Sequence, residues 1–235
     1  MLSMSASRTS RSFNAYRLIN PPAAAETLGC DLELIRGEMV AGMVVGPGGK
    51  PMSGVTALHL STAGGSRAFD VAFDLLQEAT FTATLPRPPG ERTLLFFQRA
   101  RKLAGHLVLR SNTQGPVQVQ MEPYATLTGR VLDADGRPVP HASVSLCRPT
   151  ALRHAFNSFD FETGRDWTEF KTDDDGRFRL EGIAPGLVFD MEIHARQGKN
   201  VDAIRMTHKG ITLQTGEVKD LGDLRAAPRQ MRTKS

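Results

Sequence analysis

The residues best suited to metal binding or catalysis are scattered along this chain. Two cysteines, Cys30 and Cys147, lie far apart, so they suggest neither a metal spacing nor a disulfide framework. The histidines form no recognised ligand pair; they are His59, His106, His141, His154, His194 and His208. The Gly-x-Ser-x-Gly turn of serine hydrolases is missing. The sequence therefore predicts no metal, no cofactor and no catalytic residue.

The acidic run that begins at Asp173 is the nearest approach to a calcium loop. A calcium-binding EF-hand needs alternating acids, a glutamate beyond the glycine and flanking helices. Here three consecutive aspartates precede Gly176 and lead directly into a predicted strand. Short carboxylates before a glycine commonly cap the amides of a turn. We therefore predict a turn here, and another where Asp133-Ala-Asp-Gly occurs.

The segment 149–171 is longer than a connection between two strands requires, and it contains the only tryptophan. Aromatic rings beside acidic side chains can stack on sugar rings or anchor a protein partner. Long loops in compact domains are often functional. The alternative, which we favour, is that these rings fold back over one edge of a small core. The segment is also the best candidate patch for a glycan or another protein, and its members are Phe156, Phe159, Phe161, Asp166, Trp167 and Phe170.

The elements that must position these residues are short β-prone runs separated by glycine and proline. Such a pattern is typical of antiparallel sandwiches. No convincing helix is present, and only residues 71–77 could form a helical turn. The predicted strands are 31–35, 39–45, 55–61, 68–73, 80–85, 94–97, 107–109, 117–121, 126–132, 142–146, 178–183, 188–194, 211–213 and 219–224.

One of these strand-and-turn units occurs twice. The stretch 127–144 has an earlier copy that begins at Val40, and the alignment pairs Gly42 with Gly129 and Pro51 with Pro138. The repeat length of about 87 residues exceeds that of a solenoid unit and suits a small domain. The sequence therefore predicts two copies of one β-rich module.

With these motifs, the chain resembles carboxypeptidase regulatory-like domains. These are small β-sandwiches of the transthyretin (prealbumin) type, close to bacterial Cna-B-like and starch-binding-like folds. The resemblance is carried by the motifs at 127–144 and 171–186, and the first copy is degenerate because Glu78-Ala-Thr-Phe replaces Asp175-Gly-Arg-Phe. It implies that Gly129 and Gly136 permit turns and that Phe178 supplies a core ring.

The resemblance implies tandem, surface-associated spacer or binding modules, some of which bind carbohydrate, and it brings no catalytic residue. Intradiol dioxygenases share this sandwich and bind iron through two tyrosines and two histidines. Here the only tyrosines are Tyr16 and Tyr124, one near the start and one between the modules. We therefore do not expect that iron site, and we predict that the chain is not an enzyme.

The length of 235 residues accommodates both modules. We predict an all-β fold of two tandem antiparallel transthyretin-like sandwiches. The expected division is a flexible N-terminal arm at 1–30, a degenerate β-sandwich repeat at 31–122, a carboxypeptidase regulatory-like sandwich at 123–226 and a basic tail at 227–235.

The net charge of +4 does not indicate a nucleic-acid partner. Lysine and arginine alternate with acids along the modules, and much of the excess lies near the two ends. No run is long enough to span a membrane, and residues 1–20 lack the apolar centre of a signal peptide. Taken literally, these features predict a cytoplasmic protein. Because the resembled family is often extracytoplasmic and the start could be a truncation, localisation stays open.

These observations favour a non-catalytic structural or interaction protein built of tandem modules. One alternative is a carbohydrate-binding module that uses the aromatic loop around Trp167. Another alternative is an accessory fragment of a larger surface protein or enzyme.

Overall fold

In the computed structural model, the chain divides into two compact units. The first comprises Met1–Gln98 and Gly105–Met121, and the second comprises Arg99–Ala104 and Glu122–Ser235. The residues that the structure describes are 2–6, 15–19, 29, 31, 37–58, 60, 73–86, 90–147, 170–197 and 200–226.

The start of the chain contains a pair of strands. β1 (Leu2–Ala6) pairs antiparallel with β2 (Ala15–Ile19). The strands predicted from the sequence do not include these two segments, and the flexible arm expected over residues 1–30 stays a prediction. The run Ala-Tyr-Arg-Leu-Ile is rich in residues that favour strands, and the pairing satisfies its backbone groups.

The first unit places its remaining strands in two sheets. One has the order β6-β3-β9, and the other has the order β8-β7-β4-β5. The central strand β3 pairs antiparallel with β6 and parallel with β9. The strands are β3 (Met39–Val45), β4 (Val55–Leu58), β5 (Phe73–Leu76), β6 (Thr80–Thr84), β7 (Glu91–Gln98), β8 (Leu103–Arg110) and β9 (Val117–Gln120).

The second unit repeats this arrangement strand for strand. Its sheets have the orders β14-β11-β17 and β13-β12-β15-β16, and β11 is antiparallel to β14 and parallel to β17. A short additional strand, β10 (Glu122–Pro123), pairs with Leu103 and Ala104, the first two residues of β8, which belong to the second unit. The repeated strands are β11 (Ala125–Leu132), β12 (Ser143–Cys147), β13 (Phe170–Lys171), β14 (Arg177–Ile183), β15 (Phe189–Gln197), β16 (Asn200–Ile211) and β17 (Val218–Arg225).

Each unit has a core between its two sheets. In the second unit, Leu127 and Leu180 from one sheet are buried with Val144 and Ile193 from the other. Alternation along each strand directs every second side chain inward, which produces this filling. In the first unit, the rings of Phe81 and Phe96 meet from opposite sheets, with centroids 5.0 Å apart, and both are buried. The predicted all-β fold of two tandem sandwiches is confirmed. The smaller sheet of each unit is mixed and not purely antiparallel, because its first and last strands pair in parallel.

The aligned glycines of the repeat lie in the middle of strands. Gly42 is opposite Phe81 in the β3–β6 register, and Gly129 is opposite Phe178 in the β11–β14 register. A Cβ atom would lie 2.2 Å from Phe81 Cζ at Gly42 and 2.7 Å from Phe178 Cζ at Gly129. The prediction that Gly129 permits a turn is therefore wrong, because this glycine makes room for a ring. Gly136 does lie in a turn, with φ of 81°.

Both predicted aspartate turns are confirmed by their hydrogen bonds. Asp133 Oδ1 accepts from the amides of Asp135 (2.9 Å) and Arg137 (2.8 Å). Asp173 Oδ1 accepts in the same way from Asp175 (3.0 Å) and Arg177 (2.8 Å). These bonds hold each carboxylate to its own turn, which is the geometry expected of turn capping.

Two local predictions are wrong. Residues 73–76 form β5, paired with β4, where the sequence suggested a helical turn. The strand expected at 211–213 is instead β16, which ends at Ile211. Both are edge strands, and their signals are weak because β5 is short and residues 207–210 of β16 are all exposed. Pairing with a neighbouring strand, and not local propensity, determines such segments.

Candidate functional site

The aromatic patch predicted from the sequence is only partly visible. Phe170 lies in β13, opposite Val144, and packs half-buried against the core of the second unit. That contact agrees with the alternative that rings of this segment cover the core edge. The other five members lie outside the described residues and stay a prediction; they are Phe156, Phe159, Phe161, Asp166 and Trp167.

The second unit has an open groove of about 530 Å³ on the outer face of the sheet β14-β11-β17. Thr128 and Arg130 on the central strand are partly exposed and alternate with the buried Leu127 and Val131. Side chains at alternate positions of a strand point to opposite faces. The groove is therefore on the face away from the core.

Charged side chains cross this face in two rows set by the strand register. In the first row, Arg179, Thr128 and Asp220 are neighbours on β14, β11 and β17. The second row is formed in the same order by Arg177, Arg130 and Asp223. Arginines thus line the β14 and β11 side of the groove, together with Lys171 and Asp173 from the segment before β14. Asp220 and Asp223 line the β17 side.

A bulge in β17 brings both aspartates to the same face. Residues three apart on a regular strand face opposite sides, so Asp220 and Asp223 would be separated without it. The β11–β17 register shifts between Thr128 and Arg130, and Gly222 at this point has φ of 66°. Its amide donates to Asp220 Oδ1 at 3.1 Å. The extra residue therefore returns Asp223 to the groove.

Two of the groove arginines, Arg130 and Arg179, are fixed in place by hydrogen bonds that their Nε atoms donate. Arg130 Nε donates to the carbonyl of Asp175 at 2.9 Å, and Arg179 Nε donates to Glu181 Oε1 at 2.6 Å. The second oxygen of Glu181 accepts from the Tyr124 hydroxyl at 3.2 Å. The hydrogen bond from Arg179 lowers the pKa of Glu181, so this carboxylate is ionised at neutral pH. Burial and the nearby Glu181 raise the pKa of Tyr124, which keeps its hydroxyl protonated.

Glycines form part of the groove floor. Gly129 and Gly222 both line it and contribute no side chain. Gly129 alternates with the outward-facing Thr128 and Arg130, so its missing side chain makes room for Phe178 on the core side. A Cβ on Gly222 would meet no atom within 4 Å, which leaves open space above that residue.

The corresponding sheet of the first unit has different chemistry. The strands β3, β6 and β9 contain no charged residue. Exposed positions on the outer face are occupied by Met39, Ala41 and Met43, with threonine and glutamine on the flanking strands. The charged groove is therefore a feature of the second copy, and not of the fold as such.

Arg92 in the first unit is half-buried, and part of its guanidinium is enclosed. Arg92 Nη2 donates to the carbonyls of Leu60 (3.3 Å) and Thr84. Its Nε and Nη1 are buried and lack a hydrogen-bond partner. Burial lowers the pKa of Arg92 to about 10, so the group is still charged at neutral pH. In the second unit, the offset that relates Phe81 to Phe178 relates Arg92 to the buried Phe189.

Within the part of the chain that the structure describes, no group of three or more histidine, cysteine, aspartate or glutamate residues is arranged to hold a metal ion. No helix within the same residues is long and apolar enough to cross a membrane.

Sequence reasoning missed the groove residues. The alternation Arg177-Phe-Arg-Leu-Glu does place Arg177, Arg179 and Glu181 on one face of a strand, and this signal was available. Their neighbours Arg130 and Asp223 could not be found in this way, because their positions depend on strand pairing and on the bulge.

The chain matches no protein-family model and no curated protein. Among solved structures, it is similar to the shaft pilin SpaA from Lactobacillus rhamnosus GG, with 14% identity, a TM-score of 0.31 and coverage of 84% of this chain and 100% of that chain. A Streptococcal ancillary pilin has 14% identity, a TM-score of 0.35 and coverage of 96% and 74%. The pilus backbone protein RrgB from Streptococcus pneumoniae has 10% identity, a TM-score of 0.24 and coverage of 73% and 56%. The strand order of the chain itself defines its fold.

Proposed function

We propose that this chain is a non-catalytic structural or interaction protein whose two sandwich modules act as spacers under tension. The proposal rests on one observation, the parallel pairing of the first and last strands of each module. In the first unit, this pairing runs from Gly42–Val117 to Val45–Gln120. In the second unit, it runs from Thr126–Val218 to Leu132–Arg225.

This pairing determines how a pulling force acts on each module. When the two ends of a module are pulled apart, neighbouring parallel strands slide along each other. Their hydrogen bonds are then loaded together, whereas an unzipped hairpin loses its bonds one at a time. Forced unfolding is governed by the unfolding rate, so this geometry favours survival under load. The longer pairing of β11 with β17 should give the second module the higher resistance.

Single-molecule force spectroscopy on the full chain, pulled from its two ends, tests the spacer role. We expect two unfolding events, the stronger one from the second module. In a matched control, handles are attached at Arg130→Cys and Arg177→Cys, which are opposite each other in the β11–β14 register. The native Cys30 and Cys147 are replaced by serine in that variant. Pulling there unzips the pair and should need less force. Equal forces in the two geometries would refute the load-bearing role.

A carbohydrate-binding function for the second module is the second candidate. It is supported by one observation: Lys171, the last residue of the segment 149–171, lines the charged groove. The aromatic segment therefore ends at the groove. The groove and the aromatic segment are also compatible with an accessory role in a larger surface protein. The motifs 127–144 and 171–186 support a carboxypeptidase regulatory-like identity.

Binding of the full chain to a diverse glycan array tests this second function. Binding that is lost in Trp167→Ala would support a role for the aromatic segment. A chain that binds none of the glycans has no carbohydrate-binding function, and the spacer role would be left to stand alone.

A further inference from the structure

The arginine pair in the groove is unfavourable for the sheet by itself. Arg130 and Arg177 are directly opposite each other on adjacent strands. Like charges in this position destabilise a sheet, and the first module forms the same sheet without them. Arg130 is bonded to the carbonyl of Asp175, but this bond does not remove the repulsion between the two guanidinium groups. A sequence that breaks a local rule in this way is expected at a functional site. A bound anion would offset the repulsion.

The groove arginines Arg130, Arg177 and Arg179 have N–H groups that can bind a planar anion. Because Arg130 and Arg179 are fixed through Nε, their Nη groups have no partner among the described residues. The guanidinium of Arg177 likewise makes no hydrogen bond or ion pair within the part of the chain described. Guanidinium groups bind carboxylates through two parallel N–H···O bonds. Side chains that are already oriented lose less entropy when they bind a ligand.

The aspartates restrict what else the ligand can carry. Asp220 and Asp223 lie two strand spacings from β14, a separation of about 10 Å. Ionised carboxylates accept hydrogen bonds and repel a second anionic group. The side of the groove near β17 therefore suits hydroxyl donors, and a polyanion such as a nucleic acid does not fit.

We propose that this groove binds a carboxylated saccharide. The sugar carboxylate contacts Arg130, Arg177 and Arg179, and sugar hydroxyls donate hydrogen bonds to Asp220 and Asp223. The volume of about 530 Å³ is in the range of small-ligand sites. This assignment rests on the carbohydrate-binding function proposed for the second module, and it deepens that function by naming the ligand class and the residues.

The test is calorimetric titration of the full chain with a glucuronate-containing disaccharide. The disaccharide whose carboxylate has been reduced to an alcohol, a glutamate-rich peptide and inorganic phosphate are titrated in parallel. We expect the acidic sugar to bind and its neutral counterpart to bind at least about tenfold more weakly, as the loss of a charge-assisted pair requires. Arg177→Gln should raise the Kd by a similar factor, and Asp223→Asn should raise it by a smaller one.

Lys209→Gln is the matched control, because Lys209 is an exposed cation on β16, outside the groove. It should leave the Kd unchanged, and no variant should melt below the temperature of the unmodified chain. Arg177→Gln should melt slightly above it, because it removes the like-charge pair with Arg130. Equal binding of the acidic and neutral sugars would overturn the proposal, as would equal binding of the peptide or phosphate. Glycan binding that survives Arg177→Gln but is lost in Trp167→Ala would preserve the carbohydrate-binding function and reject the groove as its site.

Discussion

The two modules share one strand order but differ on the outer face of their smaller sheet. In the first module, this face is uncharged, with Met39 and Met43 exposed on its central strand. In the second module, the same face carries Arg130 on the central strand, with further charges on both neighbours. Inward-facing positions are restricted by packing, whereas outward-facing positions are not. The fold can therefore be kept while one copy acquires a binding surface.

The turns that follow β3 and β11 have the same backbone hydrogen bonds but differ in the side chain that caps them. In the turn after β3, Gly46 exchanges backbone bonds with Lys50 and Gly49. Asp133 makes the corresponding bonds in the second module, to Arg137 and Gly136, and adds a carboxylate cap. The turn conformation is thus common to both copies, and the cap is an addition in the second.

The strongest test of equivalence between the modules is removal of the aligned core ring. Phe81→Ala and Phe178→Ala should each lower the free energy of unfolding by about 3–5 kcal/mol, because each leaves a cavity between two sheets. Hydrogen exchange resolved by segment should show the loss mainly in the strands of the module that was changed. Loss of protection spread evenly over both modules would contradict two separate cores.

The glycines opposite these rings should be the next most sensitive positions. Gly42→Ala and Gly129→Ala force a methyl group against Phe81 or Phe178, at a cost of about 1–3 kcal/mol by overpacking. The effect should be larger at Gly42, where the approach is closer. Chemical denaturation of the single variants measures both losses.

Gly48→Ala is the control for this pair, because a Cβ there meets no atom within 4 Å. It should leave stability almost unchanged. Adding Phe81→Leu to Gly42→Ala should recover part of the loss, which would appear as a coupling energy in a double-mutant cycle. Strict additivity of the two changes would argue against the direct contact.

Removal of the turn caps should have a smaller effect, confined to the second module. Asp133→Ala and Asp173→Ala each remove two amide bonds to an exposed carboxylate, so we expect a loss of about 1 kcal/mol. Asp174→Ala is the control, because that side chain is 95% exposed and has only a 3.7 Å contact with His141. Thermal denaturation should rank the first two variants below the third, and a reversed ranking would rule out the capping role.

The smallest effect is expected where the first module has the half-buried Arg92 and the second has Phe189. Arg92→Met removes two hydrogen bonds, but it also removes two buried N–H groups without partners and a buried charge. Apolar replacement of buried charge is often neutral, so we expect a change of less than about 1 kcal/mol in the free energy of unfolding. A much larger loss in urea denaturation would show that the guanidinium bonds hold this part of the module together.

Much of the fold could be predicted from the sequence because its signals are local. Alternation and punctuation by glycine and proline indicate β3, β6 and β14, and these strands occur within a residue or so of their expected positions. Asp133 and Asp173 likewise form turns through their own neighbouring amides. Such features require no knowledge of distant parts of the chain.

What could not be predicted depends on pairing between distant residues. Gly129 resembles a turn residue until the register places Phe178 opposite it. Arg130 and Asp223 become neighbours only because β11 pairs with β17 and because Gly222 shifts the register. The groove is thus determined by long-range pairing, which a single sequence does not display.

The parallel pairing of first and last strands also determines when each module can be completed during synthesis. As the chain leaves the ribosome, β11 can pair with β14 early, but its other edge must wait until β17 has been made. Contacts between residues so far apart in sequence form slowly. Until then, β11 presents an open edge that can pair with other chains. Residues 218–225 therefore act as a closing strand, and a chain interrupted before them would be prone to aggregate.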